Sequence, residues 1–146
     1  NGYSLIRKVV EGLDLEAPVP ELGESLKEAL LRPHRAYLKE FLTLREAGVR
    51  IHAIAHITGG GLPENLPRAL PEGLGAEIQK GSWPIPPIFP YLQRRGNIPE
   101  EEMYRVFNMG LGLILILPEK EAQRAQELVE SFPVGQVVAG SGVRLV

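Results

Sequence analysis

Cysteine is missing from all 146 residues. That excludes disulfides, thiolate metal sites and a thiol nucleophile. Aspartate is almost missing as well: Asp14 is the only one among 18 acidic residues, and histidine occurs only as His34, His52 and His56. With ligand-forming side chains so few and scattered, a self-contained metal site is not expected, and no residue is assigned to one. There is no basic excess either. A net charge of −2 and a pI near 6.0 leave no electrostatic field for nucleic acid. No apolar run reaches the roughly 18 residues that a membrane helix needs, and no basic leader with an apolar stretch opens the chain. A cytoplasmic protein with neither nucleic acid nor membrane as partner is the expectation.

What is present describes a globular domain, with 44% hydrophobic and 23% charged residues. The length fits one domain with a real core. The chain opens on Asn1-Gly2 rather than methionine, so it is expected to be a piece of a longer protein. Leu5, Ile6, Val9, Val10 and Leu13 recur at helical spacing, with Ser4 as cap and Gly12 as stop. ESLKEALL forms a short second helix, and residues 36–48 a third, with Leu38, Phe41 and Leu42 on one face and Gly48 at its end. IHAIAHI (51–57) reads as a strand buried between layers, placing His52, Ile54 and His56 on one face. GAEIQKG is a further strand, and PPIFPYLQRRG and EEMYRVF are short helices, the acidic run Glu100–Glu102 suiting a helix start. LGLILIL (111–117) is uninterruptedly apolar, as for a strand in the middle of a sheet. Helix 119–131 should turn Ala122, Ala125, Leu128 and Val129 inward, before two strands joined near Gly140-Ser141-Gly142. Helices and strands do not strictly alternate. The predicted fold is therefore an α+β mixture, a mixed β-sheet packed with helices.

The stretch HITGGGLPENLPR (56–68) bares the backbone with three glycines and then stiffens it with Pro63, Pro67 and Pro71. It is neither common nucleotide loop: Leu62-Pro63 stands where a Walker A loop needs lysine and a hydroxyl, and Glu64 where a dinucleotide fingerprint needs its third glycine. Two readings remain. The amides of Gly59, Gly60, Gly61 and Leu62 can face one concavity as an anion nest, with Pro63 at the first position of a one-turn helix that Pro67 ends. Alternatively the glycines make a tight strand-to-turn corner with no ligand. His56, just ahead of the loop, suits either a proton carrier or a satisfied structural residue. Trp83, set among prolines, suits packing or a cleft wall, and Gly110 and Gly112 a strand entry under close packing.

The segments NGYSLIRK, HITGGGLPENLPR, GSWPIPPIFPYLQRRGNI and EEMYRVFNMGLG together resemble the C-terminal domain of the phosphoribosylformylglycinamidine cyclo-ligases, or aminoimidazole ribonucleotide synthetases. The likeness spans nearly the whole chain and makes residues 1–146 the C-terminal domain of a two-domain homodimeric enzyme. It implies a purine-biosynthetic reaction: ATP activates the formyl amide oxygen of formylglycinamidine ribonucleotide as a phosphate, and an amidine nitrogen closes the imidazole ring. ATP and Mg²⁺ are implied, held mainly by an N-terminal domain. On this resemblance the substrate phosphate lies against Gly59, Gly60, Gly61 and Leu62. Asn1, Ser4 and Asn108 supply neutral hydrogen bonds to ribose or amide, Arg105 offsets phosphate charge, and His56 is the candidate catalytic proton carrier. Val106 stands where the family often has threonine. A non-catalytic module that binds phosphate esters, or a kinase-like relative of the same superfamily, remains the alternative.

Overall fold

The computed structural model describes all 146 residues. In chain order the elements begin with α1 (Tyr3–Val9), β1 (Pro18–Val19), β2 (Glu24–Ser25), α2 (Leu26–Leu31), α3 (Leu38–Glu46), β3 (Ala53–His56) and α4 (Gly61–Asn65). After a 3-10 turn at Leu66–Ala69 come β4 (Leu74–Ile78), α5 (Ile88–Gly96), α6 (Glu100–Val106), β5 (Leu113–Ile116), α7 (Glu119–Leu128), β6 (Gly135–Ala139) and β7 (Val143–Leu145). The α+β character and the mixed pairing are as predicted, but the strands form three small sheets instead of one. β1 pairs with β2, β3 with β5, and β6-β4-β7 form a three-stranded sheet.

Helix boundaries follow local chemistry. Ser25 caps α2 in a full capping box, its side chain accepting from the Glu28 amide while the Glu28 carboxylate accepts from the Ser25 amide at 2.9 Å. α1 is entered through Gly2 in the left-handed region, so Ser4 lies inside the first turn and caps nothing. α3 ends, as predicted, at a positive-φ Gly48. Its buried residue, however, is Leu44, and Leu38 is 67% exposed. The face that packs is the one that meets Val49 and Ala125, so Leu44, a turn and a half beyond Leu38, becomes the anchor.

The apolar run of β5 has a different cause from the one its sequence suggests. β5 has only β3 as a strand neighbour, in antiparallel register from Ala53↔Ile116 to His56↔Leu113. Helices cover both its faces. Ile114 and Ile116 join the main core with Ala55 and Ile57, whereas Leu115 and Leu117 pack on the second cluster of Leu44, Val49 and Ala125. β3 is not sandwiched in the same way: His52, Ile54 and His56 share an open face. On α7, Ala125 is buried and Leu128 is exposed, against expectation, because the helix ends there. β6 and β7 are joined through Gly140–Gly142 but do not form a hairpin. They flank β4, antiparallel (Ala76↔Val137) and parallel (Ala76↔Val143) respectively. The connecting turn passes so close over Gly75 that a Cβ there would meet the Gly142 carbonyl oxygen at 2.7 Å. No helix is long and apolar enough to cross a membrane.

Candidate functional site

The three glycines of the 59–61 loop meet three different surroundings. Gly61 has φ 61°, and a Cβ on it would collide with the Tyr104 carbonyl oxygen, so the start of α4 is pressed onto the end of α6. Gly60 has φ 94°, and its missing Cβ would meet the Glu64 side chain. Gly59 is exposed and has no positive φ. The nearest atom to a Cβ on it is Asn1 Oδ1 at 4.0 Å. Backbone strain and packing therefore account for Gly60 and Gly61, and neither accounts for Gly59.

The expected set of four free amides needs a correction. The Gly61 amide donates to the Thr58 carbonyl at 2.9 Å, closing the turn, while the amides of Gly59 and Gly60 donate to no group of the chain. Leu62 is buried in the main core. Pro63 stands at the third helical position, not the first, and α4 gives way after five residues to the 3-10 turn, whose first positions hold Pro67.

The loop, the chain start and the end of α6 converge. Asn1 Nδ2 donates to Thr58 Oγ1 at 2.7 Å, and Gly2 lies against the side chains of Val106 and Phe107. Asn108 follows Phe107, and its Oδ1 accepts from the Gly110 amide at 2.9 Å in an Asx turn. That turn, with Met109 at φ 53°, is held from beneath: buried Trp83 donates Nε1–H to the Met109 carbonyl at 2.9 Å, and Pro84 and Pro86 close on Gly110. Trp83 is thus a packing residue. Gly112 takes the Tyr37 ring against its bare Cα, as the strand-entry reading requires.

Other predicted site residues are placed differently. Ser4 is exposed and makes no side-chain hydrogen bond. Arg105 is forked on Glu102 (Nε–Oε2 2.8 Å, Nη2–Oε1 2.5 Å), which holds the Glu102 carboxyl below its ordinary range and raises the guanidinium further. Burial, with Glu100 nearby, pushes the Tyr104 phenol up. His56 lies on the open face of β3, its ring edge-on to His34 at 5.2 Å, and His34 lies in turn 6.1 Å from Tyr37. His34 Nδ1 is bonded to the Arg35 carbonyl at 2.9 Å, and Arg35 pairs with Glu40.

Asn65 belongs to this site, although the HITGGGLPENLPR stretch that contains it suggested no role for it. Its Nδ2 donates to the carbonyls of Thr58 (3.2 Å), Gly59 (3.1 Å) and Gly61 (2.8 Å). The available signal was one uncharged polar residue between Leu62 and Leu66, close enough in sequence to reach back to the glycines. No group of three or more His, Cys, Asp or Glu side chains converges anywhere in the chain.

Comparison with known proteins places the chain in a family. Over 151 residues the chain is 45% identical to the phosphoribosylformylglycinamidine cyclo-ligase of Bacillus velezensis, covering 98% of this chain and 43% of the relative. The protein of that name from Bacillus pumilus is 46% identical over 151 residues with the same coverage, and that from Nitrosococcus oceani 49% over 143 residues, covering 94% and 40%. The chain therefore spans less than half the length of these curated relatives. All 146 residues match the model for the AIR synthase related protein, C-terminal domain, and the chain belongs to that family.

Proposed function

We propose that this chain is the C-terminal domain of a cyclo-ligase that converts formylglycinamidine ribonucleotide to aminoimidazole ribonucleotide, ADP and phosphate, and that its 59–62 loop receives the 5′-phosphate of the substrate. The observation that carries the phosphate assignment is Gly59, exposed and unstrained with open space at its Cβ position, so that its glycine serves an approach from outside. Next to it are two amides without acceptors and the neutral side chain of Asn1. These suit an anionic ester attached to a sugar. Asn108 adds a neutral amide whose Nδ2 is uncommitted, since Oδ1 serves the turn. Arg105, already paired with Glu102, would act only by exchanging partners. His56, on the open strand face, remains the proton carrier of this reading.

ATP supplies the phosphoryl group that activates the amide oxygen in this reaction. This chain does not fit ATP or Mg²⁺ by itself: it has no lysine-bearing phosphate loop, and no three ligand side chains converge. Both are assigned to the N-terminal domain of the longer, homodimeric protein, to which this domain would attach.

The test uses the full-length protein, assayed for ATP-dependent ring closure of formylglycinamidine ribonucleotide and for binding of that ribonucleotide and its dephosphorylated nucleoside. The wild type should close the ring and prefer the phosphorylated ligand. Gly59→Val should fold normally and lose most of the preference, at about 1.5–3 kcal/mol per charge-assisted hydrogen bond removed. A folded variant with the preference intact would reduce the loop to a structural corner, and turnover only with another ATP-dependent substrate would favour a kinase-like relative.

A further inference from the structure

Asn65 is a polar side chain only 4% exposed, set between the core residues Leu62 and Leu66. Burying an amide is costly unless it is hydrogen-bonded. Three carbonyl oxygens, those of Thr58, Gly59 and Gly61, lie 2.8–3.2 Å from its Nδ2. Carbonyls can face only the NH₂ end of the side-chain amide, so its two hydrogens are shared among three acceptors and the orientation is fixed.

The consequence lies on the far side of each peptide plane. In a trans peptide the C=O of one residue and the N–H of the next point in opposite directions, and the chain has no cis bond. Turning the Thr58 and Gly59 carbonyls toward Asn65 therefore turns the Gly59 and Gly60 amides away from it. The Gly61 carbonyl does the same for the Leu62 amide, but Leu62 is buried in the core and that amide is closed to solvent. Gly60 is the exception that completes the pattern. Its carbonyl goes to the Glu64 amide at 3.4 Å instead, and the following Gly61 amide points inward to Thr58. The loop's outer side thus offers the Gly59 and Gly60 amides, with the Thr58, Gly59 and Gly61 carbonyl oxygens drawn beneath it and the Gly60 carbonyl occupied by the Glu64 amide.

We propose that Asn65 is the positioning residue of this loop, which makes it selective for the phosphorylated substrate by gathering the Thr58, Gly59 and Gly61 carbonyls and presenting the Gly59 and Gly60 amides. This rests on the phosphate reading given above. Asn65 touches no substrate and acts only through the backbone it holds.

The experiment uses the full-length protein with formylglycinamidine ribonucleotide and its nucleoside as probes. Asn65→Asp keeps the shape and replaces the donor with an oxygen that repels the three carbonyls. It should weaken binding of the ribonucleotide by roughly tenfold or more while leaving nucleoside binding nearly unchanged. Loss of both affinities alike would show a merely structural role and overturn the proposal. A folded variant that keeps the wild-type preference would also overturn it, with the phosphate reading left standing. If the wild type itself shows no preference, the phosphate reading fails first, and this proposal with it. A second measurement needs no variant and decides the matter if Asn65→Asp does not fold. In the unmutated protein, the ribonucleotide should shift the amide resonances of Gly59 and Gly60 strongly and those of Gly61 and Leu62 weakly. Equal response of all four, or response of Gly61 alone, would overturn the assignment.

Discussion

Replacing Gly61 by alanine and Gly59 by alanine should have opposite outcomes, although the two residues are separated by one position. Gly61 combines positive φ with a carbonyl where its Cβ would go, so Gly61→Ala should cost about 2–4 kcal/mol, from overpacking against backbone together with left-handed strain. Gly59→Ala meets open space and an ordinary φ, and should be neutral or slightly stabilising, within about 1 kcal/mol. Urea unfolding midpoints of the two variants measure this. A large loss at Gly59 would mean that its glycine is structural, and would remove the observation on which the phosphate site rests. The sequence shows three identical residues, and which of them is constrained from inside depends on the α4–α6 contact, made between residues more than 40 positions apart. Asn65 was illegible for a related reason. Its role is written in the carbonyls of other residues, and these become its partners only after the turn has formed. Asn1 and Asn108 were assigned as neutral donors on the resemblance, whereas Asn65, although it stands in the quoted HITGGGLPENLPR stretch, received no role.

Among the elements, α2 depends most on its own sequence, since Ser25 and Glu28 satisfy each other's backbone amides within four residues. Ser25→Ala should therefore lower stability by about 1 kcal/mol, read as a shift in denaturation midpoint at neutral pH. The hydrogen bonds from Ser25 hold the Glu28 carboxyl below its ordinary range, and Arg35 and Arg105 do the same for Glu40 and Glu102. A carboxyl depressed in the folded state contributes stability above its unfolded value, about 4.3, and loses it as pH falls through the folded value. Stability should accordingly decline on the acid side of that value. Glu28→Gln should flatten part of the decline and leave the neutral-pH slope unchanged. If the acid limb of the variant has the wild-type slope, the capping carboxylate is not titrating as described. The predicted Ser4 cap failed and the Ser25 cap was not foreseen, whereas the Gly48 stop and the acidic start of α6 were readable from sequence. Strand partners were not. An apolar run such as 113–116 looks alike whether strands flank it or helices cover it, and a Gly-Ser-Gly turn does not reveal that β4 will slip between the strands it joins.

At the scale of the whole molecule, residues 1–146 should fold without turning over. The fold argument is the main core of 18 buried residues, spread along the chain from Ile6 to Ile114 with a second cluster around Leu44 and Val49, which needs no disulfide. The catalytic argument is one of charge. Phosphoryl transfer to an amide oxygen develops negative charge that fixed cations or a metal must balance, in a site closed to water. Arg105, the cation assigned to the proposed site, is already paired with Glu102. Asp14, the sole aspartate, accepts from the Glu16 amide at 3.0 Å, and no three ligand side chains converge to hold a metal. The proposed site also lies open, with Asn1, Gly59 and His56 all exposed. The purified chain should therefore unfold cooperatively on heating and show no ATP-dependent loss of formylglycinamidine ribonucleotide. The same assay on a full-length protein should show ring closure. Turnover by residues 1–146 alone would mean that this chain assembles a nucleotide site from groups not recognised in it, and the division of labour proposed between the two domains would fall.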